Sequence, residues 1–400
     1  MRKLLIPFFV LINCIILNAQ IALTGIVLSE KDHLPVVFAS VYISGTTKGT
    51  YTDSNGRFTL NEVSIPCQLV VSHIAYDLRL IPIDKSTELT VCLTGKAKQL
   101  TGVSVSGSSN RKLNVKDFKD AFLGNDHWGR NALMKNDSVL IFSRIPDTLV
   151  FIANVKDFEM KQMNASLPDN DRWSADSTHI LRLEPKFAAK TISPLLIDIP
   201  LLGYHVYVDL VSFSLKNNKT VSDCSYRAYY HFVAETNATA HQQAKFEKNR
   251  QDAYYNSSKH FCKALYENQL KENGYLISVS TFSDVFGTLQ EHKYEDLSRH
   301  VTFLNPNEVQ VTGLKNKKLN IYYFCKSNGK PTNLTLKNKK TGAPQIEWSD
   351  NAWENNSYVL FKSDTCIIRS NGTIPYTNIL FGGKIASKRG GALLPLDYLP

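Results

Sequence analysis

From Val37 to Ser44 the side chains alternate. Val37, Ala39, Val41 and Ile43 stand against Phe38, Ser40, Tyr42 and Ser44, and this period of two predicts a strand with one face in a core. The stretch SGTTKG breaks it, because Gly45 and Gly49 tolerate the positive φ that turns require. After Thr50, Tyr51 and Thr52 comes DSNG, a hairpin signal in which Asp53 and Asn55 serve as turn-forming side chains, and alternation resumes from Arg57 to Leu60. Further strands are predicted at Ile21–Leu28, Cys67–Ile74, Leu78–Ile83, Leu89–Leu93 and Val103–Ser106. Short strands punctuated by turns, with no helical period among them, predict a small antiparallel β-sandwich over residues 20–106.

Beyond it, SGSSNRKLN is small and polar, which predicts a linker over residues 107–114. A short amphipathic helix follows at Val115–Leu123, with Gly124 as its stop. Most later segments predict strands: Ser138–Phe142, Leu149–Ala153, Ile180–Leu183, Leu195–Ile197, Tyr204–Leu215 and Tyr226–Glu235, with NASLPDNDRWSADST as an exposed insertion. From Ala240 to Asn273 the apolar residues return at three and four (Phe261 and Leu265; Cys262, Tyr266 and Leu270), which predicts one or two packed helices ended by Gly274. Strands resume at Tyr275–Phe282, Val301–Phe303, Val309–Thr312, Leu319–Lys326, Leu334–Asn338, Tyr358–Lys362 and Cys366–Ile368. The expected fold class is mainly β: a sandwich, then a larger β-rich α+β domain over residues 115–400 with a helical insertion.

The first residues change the picture of location. Arg2 and Lys3 precede a nearly unbroken apolar run, Leu4–Leu17, so residues 1–19 have the make-up of a secretory signal peptide. No later stretch reaches the roughly 18 apolar residues of a transmembrane helix. The expected location is therefore exported: periplasmic, or associated with the outer membrane or cell surface. The net charge of +10 falls to +8 once Arg2 and Lys3 leave. Residues 20–105 hold seven basic and seven acidic groups, so the surplus lies downstream, where Leu314–Lys340 carries eight lysines and no acid. That run is either a solvated hairpin face or a surface for an anionic envelope polymer or lipid headgroups. Export argues against nucleic acid.

Candidate chemistry is sparse. Past Cys14, residues Cys67, Cys92, Cys224, Cys262, Cys325 and Cys366 stand far apart with no CxxC, which argues against zinc ribbons and redox motifs. Cys67 with Cys92 is the candidate disulfide, since both sit on predicted strands of one small domain; separate buried thiols are the alternative. HExxH is absent, and the single HxxE, His292 with Glu295, has no histidine after His300 to complete a metal site. Neither GxSxG nor a phosphate loop is present, and nothing calls for a cofactor. Asn249, Arg250, Tyr254, Ser257 and His260 place polar and aromatic groups on successive helical turns. They are the candidate ligand-binding set for a carboxylate or sugar, against a reading in which Arg250 and His260 satisfy buried carbonyls. Asp209, Glu235 and Asp252 are the acids a hydrolase would draw on.

The stretch TGIVLSEKDHLPVVFASVYISGTTKGTYTDSNGRFTL, with SHIAYD and LTGVSVSG after it, resembles the carboxypeptidase regulatory-like domain, a transthyretin-like sandwich of Bacteroidota envelope proteins. That resemblance implies a module without catalytic residues; the same module precedes the plug and barrel of TonB-dependent receptors. FKDAFLG, SPLLIDIPLLGYHVYVDLVSFSL, NRQDAYYNSSKHFCKALYENQLKENGY and GGALLPLDY resemble an uncharacterised C-terminal region of such envelope proteins, with Asn256 where glycine is usual. The expected function is a non-enzymatic binding or accessory role towards an envelope protein or polymer. The alternative is a hydrolase of envelope glycan or peptide.

Overall fold

A computed structural model describes residues 20–85, 88–96, 108–145, 148–152, 178–182, 186–218, 221–280, 293–315, 317–324, 357–374 and 379–400. Residues 1–19, the stretches expected as strands at 103–106 and 334–338, nearly all of the stretch expected as an insertion at 164–178, His292 and most of the lysine run lie outside the described residues. The chain divides into two compact units, residues 1–99 and 100–400.

The first unit holds β1 (Gln20–Ser29), β2 (Ser40–Ile43), β3 (Gly49–Tyr51), β4 (Arg57–Ser64), β5 (Cys67–His73), β6 (Tyr76–Ile83) and β7 (Leu89–Leu93). They form two sheets, β4-β1-β7 and β3-β2-β5-β6. Leu23, Val27, Phe58, Leu60, Val91 and Leu93 from one sheet meet Val41, Ile43, Leu69, Val71 and Ile83 from the other in a single core. The pairing is antiparallel except for β1 with β7, which run parallel. β2 begins at Ser40 and not Val37, because Phe38 adopts φ 58 and breaks the alternation, so Val36 rather than Val37 enters the core. Thr52 spans this break: its hydroxyl donates to the Val36 carbonyl at 2.6 Å and accepts from the Ala39 amide at 2.8 Å. Asp53 organises the following turn, its Oδ1 accepting from the amides of Asn55 and Arg57, both at 2.8 Å. Gly45 has φ 78, whereas Gly49 lies in β3 opposite Tyr42.

The expected Cys67–Cys92 disulfide is not formed; both thiols are free. Cys67 packs against the core from β5, while Cys92 is exposed between the buried Val91 and Leu93 of β7 in the other sheet. Strand alternation turns the Cys92 sulfur away from the interior that Cys67 joins.

The second unit opens with α1 (Ser108–Phe122) and α2 (His127–Asn131), then β8 (Leu133–Met134), β9 (Leu140–Ile145), β10 (Thr148–Ile152), β11 (Thr178–Arg182), β12 (Lys186–Thr191), β13 (Leu195–Ile199), β14 (Tyr204–Asn218) and β15 (Val221–Ala234). α1 starts inside the expected linker. Arg111 accounts for this, donating to the Asp137 and Leu140 carbonyls at 2.7 and 3.2 Å and lying over the Phe142 ring, so tertiary contacts hold a polar first turn helical. One sheet runs β8-β13-β14-β12-β9 with β15 along β14, and β10 pairs with β11 apart from it. Phe118 and Phe122 of α1 pack on its Phe213, which Phe187 also meets, in a core that extends to Phe232.

Two helices follow, α3 (Ala240–Tyr254) and α4 (Ser258–Tyr266), and then β16 (Tyr275–Ser280), β17 (Lys293–Tyr294), β18 (Val301–Asn305), β19 (Glu308–Thr312), β20 (Lys318–Tyr323), β21 (Ser357–Phe361), β22 (Thr365–Arg369), β23 (Ile379–Gly383) and α5 (Lys384–Ser387). α4 packs Phe261, Cys262 and Leu265 against the sheets β17-β16-β20-β21-β23 and β18-β19-β22 in a second core. Two lysines tie the C-terminal segment to these helices. Lys388 Nζ donates to the Asp252 carbonyl at 2.8 Å and to those of Ala253 and Tyr255 at the end of α3. Lys259 Nζ donates to the carbonyls of Pro395, Leu396 and Tyr398 at 3.0, 3.1 and 2.7 Å.

Two substitutions test these contacts. Thr52→Val keeps shape but strands a buried carbonyl and amide, and is expected to destabilise the sandwich by about 1–3 kcal/mol in denaturant unfolding. Lys388→Met leaves the α3 carbonyls without a donor and is expected to lower the second unit's stability by about 1–3 kcal/mol, with faster amide exchange across residues 250–256.

Candidate functional site

The β13–β14 hairpin builds the site. Pro200 lacks the N–H a ladder needs, and the amides of Leu202 and Gly203 both donate to the Ile199 carbonyl at 3.0 Å, closing a tight turn. Gly203 has φ 65, and a Cβ there would lie 2.4 Å from the Phe246 ring, so only glycine fits both the backbone and the neighbour. The register sets Ile199 opposite Tyr204 and Asp198 opposite His205.

α3 crosses this turn. Its start is a capping box of Thr239 and Gln242. One turn before its end, Asn249 Nδ2 donates to the Leu201 carbonyl at 2.7 Å and Arg250 Nε to the Leu202 carbonyl at 2.8 Å. The Arg250 guanidinium also sits 4.2 Å over the Tyr204 ring. Between hairpin and helix lies a groove of about 680 Å³, lined by the apolar Pro200, Leu201 and Phe246 and by the polar Asp198, His205, Glu235, Asn237, Gln242 and Lys245.

His205 is the electrostatic centre of the rim. Its Nδ1 is 2.7 Å from Asp198 Oδ1 and its Nε2 is 3.3 Å from Glu235 Oε2. Lys135 Nζ stands 3.4 Å from the other Asp198 oxygen. Hydrogen bonding to Asp198 raises the His205 pKa above the ordinary value, with Glu235 adding to it against partial burial. The Asn237 amide, donating at 2.8 Å, and His205 together hold Glu235 below the usual carboxylate range. A protonated ring donates to both carboxylates, so this pairing favours the charged form more than solvent would. With both ring nitrogens engaged, His205 has no free nitrogen to act as a general base.

The five residues expected to bind a ligand do not form one exposed cluster. Asn249 lines the groove. Arg250 is turned onto hairpin carbonyls, and Tyr254 is buried in the core that α1 forms with the β14 sheet. Ser257 caps α4, accepting from the His260 amide at 3.1 Å. His260 is 3 % exposed and accepts at Nδ1 from the Tyr275 hydroxyl at 2.9 Å and the Asn256 amide at 3.3 Å. Nδ1 is thus the acceptor, and Nε2–H donates to Asn273 Oδ1 at 3.2 Å. Burial pushes the His260 pKa down to about 4.

Of the acids considered, Glu235 lies on the groove, whereas Asp209 sits farther along β14 opposite Tyr229 and Asp252 lies near the end of α3. Asp198 and His205 were not singled out from sequence. The signal was the hairpin itself, DIPLLGYH, whose register pairs its first and last residues. Among the described residues no group of three or more His, Cys, Asp or Glu side chains is placed to hold a metal ion, and no helix is long and apolar enough to cross a membrane.

Comparison with known proteins supports a non-catalytic accessory domain for the first unit. Residues 23–105 match the CarboxypepD_reg-like domain. The chain is 33% identical over 96 residues to TonB-dependent receptor P39 of Formosa agariphila, which takes in 24% of this chain and 9% of that protein. A 9R-lipoxygenase from Cyanothece, 11% identical, covers 62% of this chain and 48% of that structure at a TM-score of 0.17, too low to support any argument.

The two histidines are expected to titrate in opposite directions. His260, depressed in the fold, contributes stability that is complete above about pH 6.5 and lost as pH falls towards 4, on the order of 3 kcal/mol. His205, raised in the fold, contributes stability present below about pH 6.5 and lost as pH rises through its folded pKa. Imidazole NMR should show His260 still neutral at pH 5 as the Nε2–H tautomer, and His205 protonated above the pH at which a free histidine titrates.

Proposed function

We propose that this chain is an exported accessory protein of the bacterial envelope. In this reading the sandwich docks on another envelope protein, and the second unit binds its ligand without chemical turnover. The observations that carry it are the match of residues 23–105 to the CarboxypepD_reg-like domain and the 33% identity over 96 residues to a TonB-dependent receptor. The leader-like residues 1–19 support export. The larger unit is the interaction domain, and the groove over the β13–β14 turn is its binding face.

The hydrolase reading draws on one specific feature, two carboxylates, Asp198 and Glu235, across a single imidazole in an open groove. Glycoside hydrolysis needs one of such a pair protonated to assist the leaving group. The Asn237 amide and His205 hold Glu235 below the usual carboxylate range, which disfavours it as the protonated acid, so the arrangement supports binding over acid catalysis.

The test is to tag the protein in its native cell, cross-link intact envelopes and identify the cross-linked species by mass spectrometry, together with the mature N-terminus. An N-terminus at or near Gln20 and one dominant envelope partner are expected. An uncleaved cytoplasmic chain would refute the proposal, and so would hydrolysis of isolated envelope glycan that Glu235→Gln abolishes.

A further inference from the structure

The groove is balanced in charge and mixed in character, and this narrows what it can hold. Asp198 and Glu235 bring two carboxylates to the rim, where Lys245 answers one of them. Lys135 additionally neutralises the outer oxygen of Asp198. A polyanion would meet two carboxylates at close range, and a cationic peptide would meet Lys245 and Lys135. Neither sign of ligand gains from such a rim, whereas an uncharged ligand carrying many hydroxyls does.

Each class of lining group fits such a ligand. Ionised carboxylates accept from hydroxyls, and the free carboxylate lone pairs at Asp198 and Glu235 are held in fixed directions by His205 and by the Asn237 amide. The Gln242 Oε1 is committed to Thr239, accepting from its amide at 2.8 Å and its hydroxyl at 3.0 Å, which turns the amide NH₂ away from the cap as a donor. Lys245 is exposed and supplies further donors. The Phe246 ring, half-buried and fixed by its seat on Gly203, gives the groove a flat apolar element for the C–H face of a sugar ring. The groove is an open one, suited to a chain passing through it more than to a molecule enclosed by it.

We propose that the groove between the β13–β14 turn and α3 binds an uncharged carbohydrate chain, with Phe246 as the stacking platform and Asp198, Glu235, Gln242 and Lys245 as the hydroxyl-binding rim. This deepens the reading of the second unit as the binding part of the chain and rests on it.

Affinity electrophoresis of the purified full chain tests it, in native gels containing dextran, mannan or laminarin, with alginate as the anionic control at 0.15 M salt. Retardation is expected in at least one neutral polysaccharide and not in alginate. Phe246→Ala should reduce it at least tenfold. Because Phe246 also seats the hairpin, the exposed pair Asn237→Ala with Lys245→Ala is the second probe, expected to keep the thermal midpoint and lose at least threefold in apparent affinity. No retardation in any neutral gel, retardation in alginate alone, or unchanged retardation of the exposed double variant would overturn the proposal. An envelope protein captured by cross-linking alongside a failed gel would sink the carbohydrate site while leaving the accessory reading intact.

Discussion

Leu201, Leu202 and Gly203 carry three consecutive carbonyls round a turn too tight for a ladder to pair them, and the second unit's candidate site depends on how they are satisfied. Asn249 and Arg250 of α3 supply donors to the first two, and the Glu235 amide donates to the third at 2.9 Å. An unpaired buried carbonyl costs about as much as a lost hydrogen bond, so these donors fix the helix against the hairpin and not merely near it. Once α3 is fixed, Phe246 must meet Gly203, while the pairing of β14 with β15 brings Glu235 to His205. The groove follows from backbone accounting at a single turn.

The same accounting governs the helix ends. A helix terminus leaves carbonyls without intrahelical partners, and α3 ends where no glycine follows to fold them back. Lys388 fills that role with one ammonium, whose three N–H donors match three carbonyls, and Lys259 does likewise for the tail at Pro395–Tyr398. Burial brings both pKa values down to about 8, which leaves the ammonium form in place at neutral pH. A cation at a helix C-terminus also complements the macrodipole. Between α3 and α4, Asn256 takes φ 56, the conformation for which glycine is the usual residue and asparagine the common substitute.

The sandwich was legible because its determinants are local. Period-two alternation places Val41, Ile43, Phe58 and Leu60 in the core, and DSNG sets a turn that Asp53 closes with its own side chain. What misled was equally specific. Phe38 reads as a strand residue but sits at positive φ, a conformation fixed by the distant Thr52 hydroxyl on either side of it. Arg111 made a helix of a polar stretch through partners 26 and 29 residues away. Helical spacing did bring Asn249 and Arg250 to the hairpin, but periodicity says nothing of which side chains keep their polar atoms for a ligand.

His205 and His260 show why a residue type cannot be assigned a role from sequence. Each uses both ring nitrogens, yet the partners decide opposite outcomes. Two carboxylates accept from His205 and favour its charge, while a hydroxyl and an amide N–H donate to His260 Nδ1 and need that nitrogen bare. His260 is thereby a neutral structural group, held between α4 and β16 with Tyr254, Tyr255 and Tyr323 around it. His205, at 41% side-chain exposure, is the one that meets solvent at the groove. The sequence offered His260 as the candidate because a helix displays its spacing openly; a hairpin hides its cross-strand pairs until the turn is known. Asp198 and His205 stand seven residues apart and become neighbours only through the geometry of Pro200–Gly203, the same turn whose Leu201 and Leu202 carbonyls α3 holds.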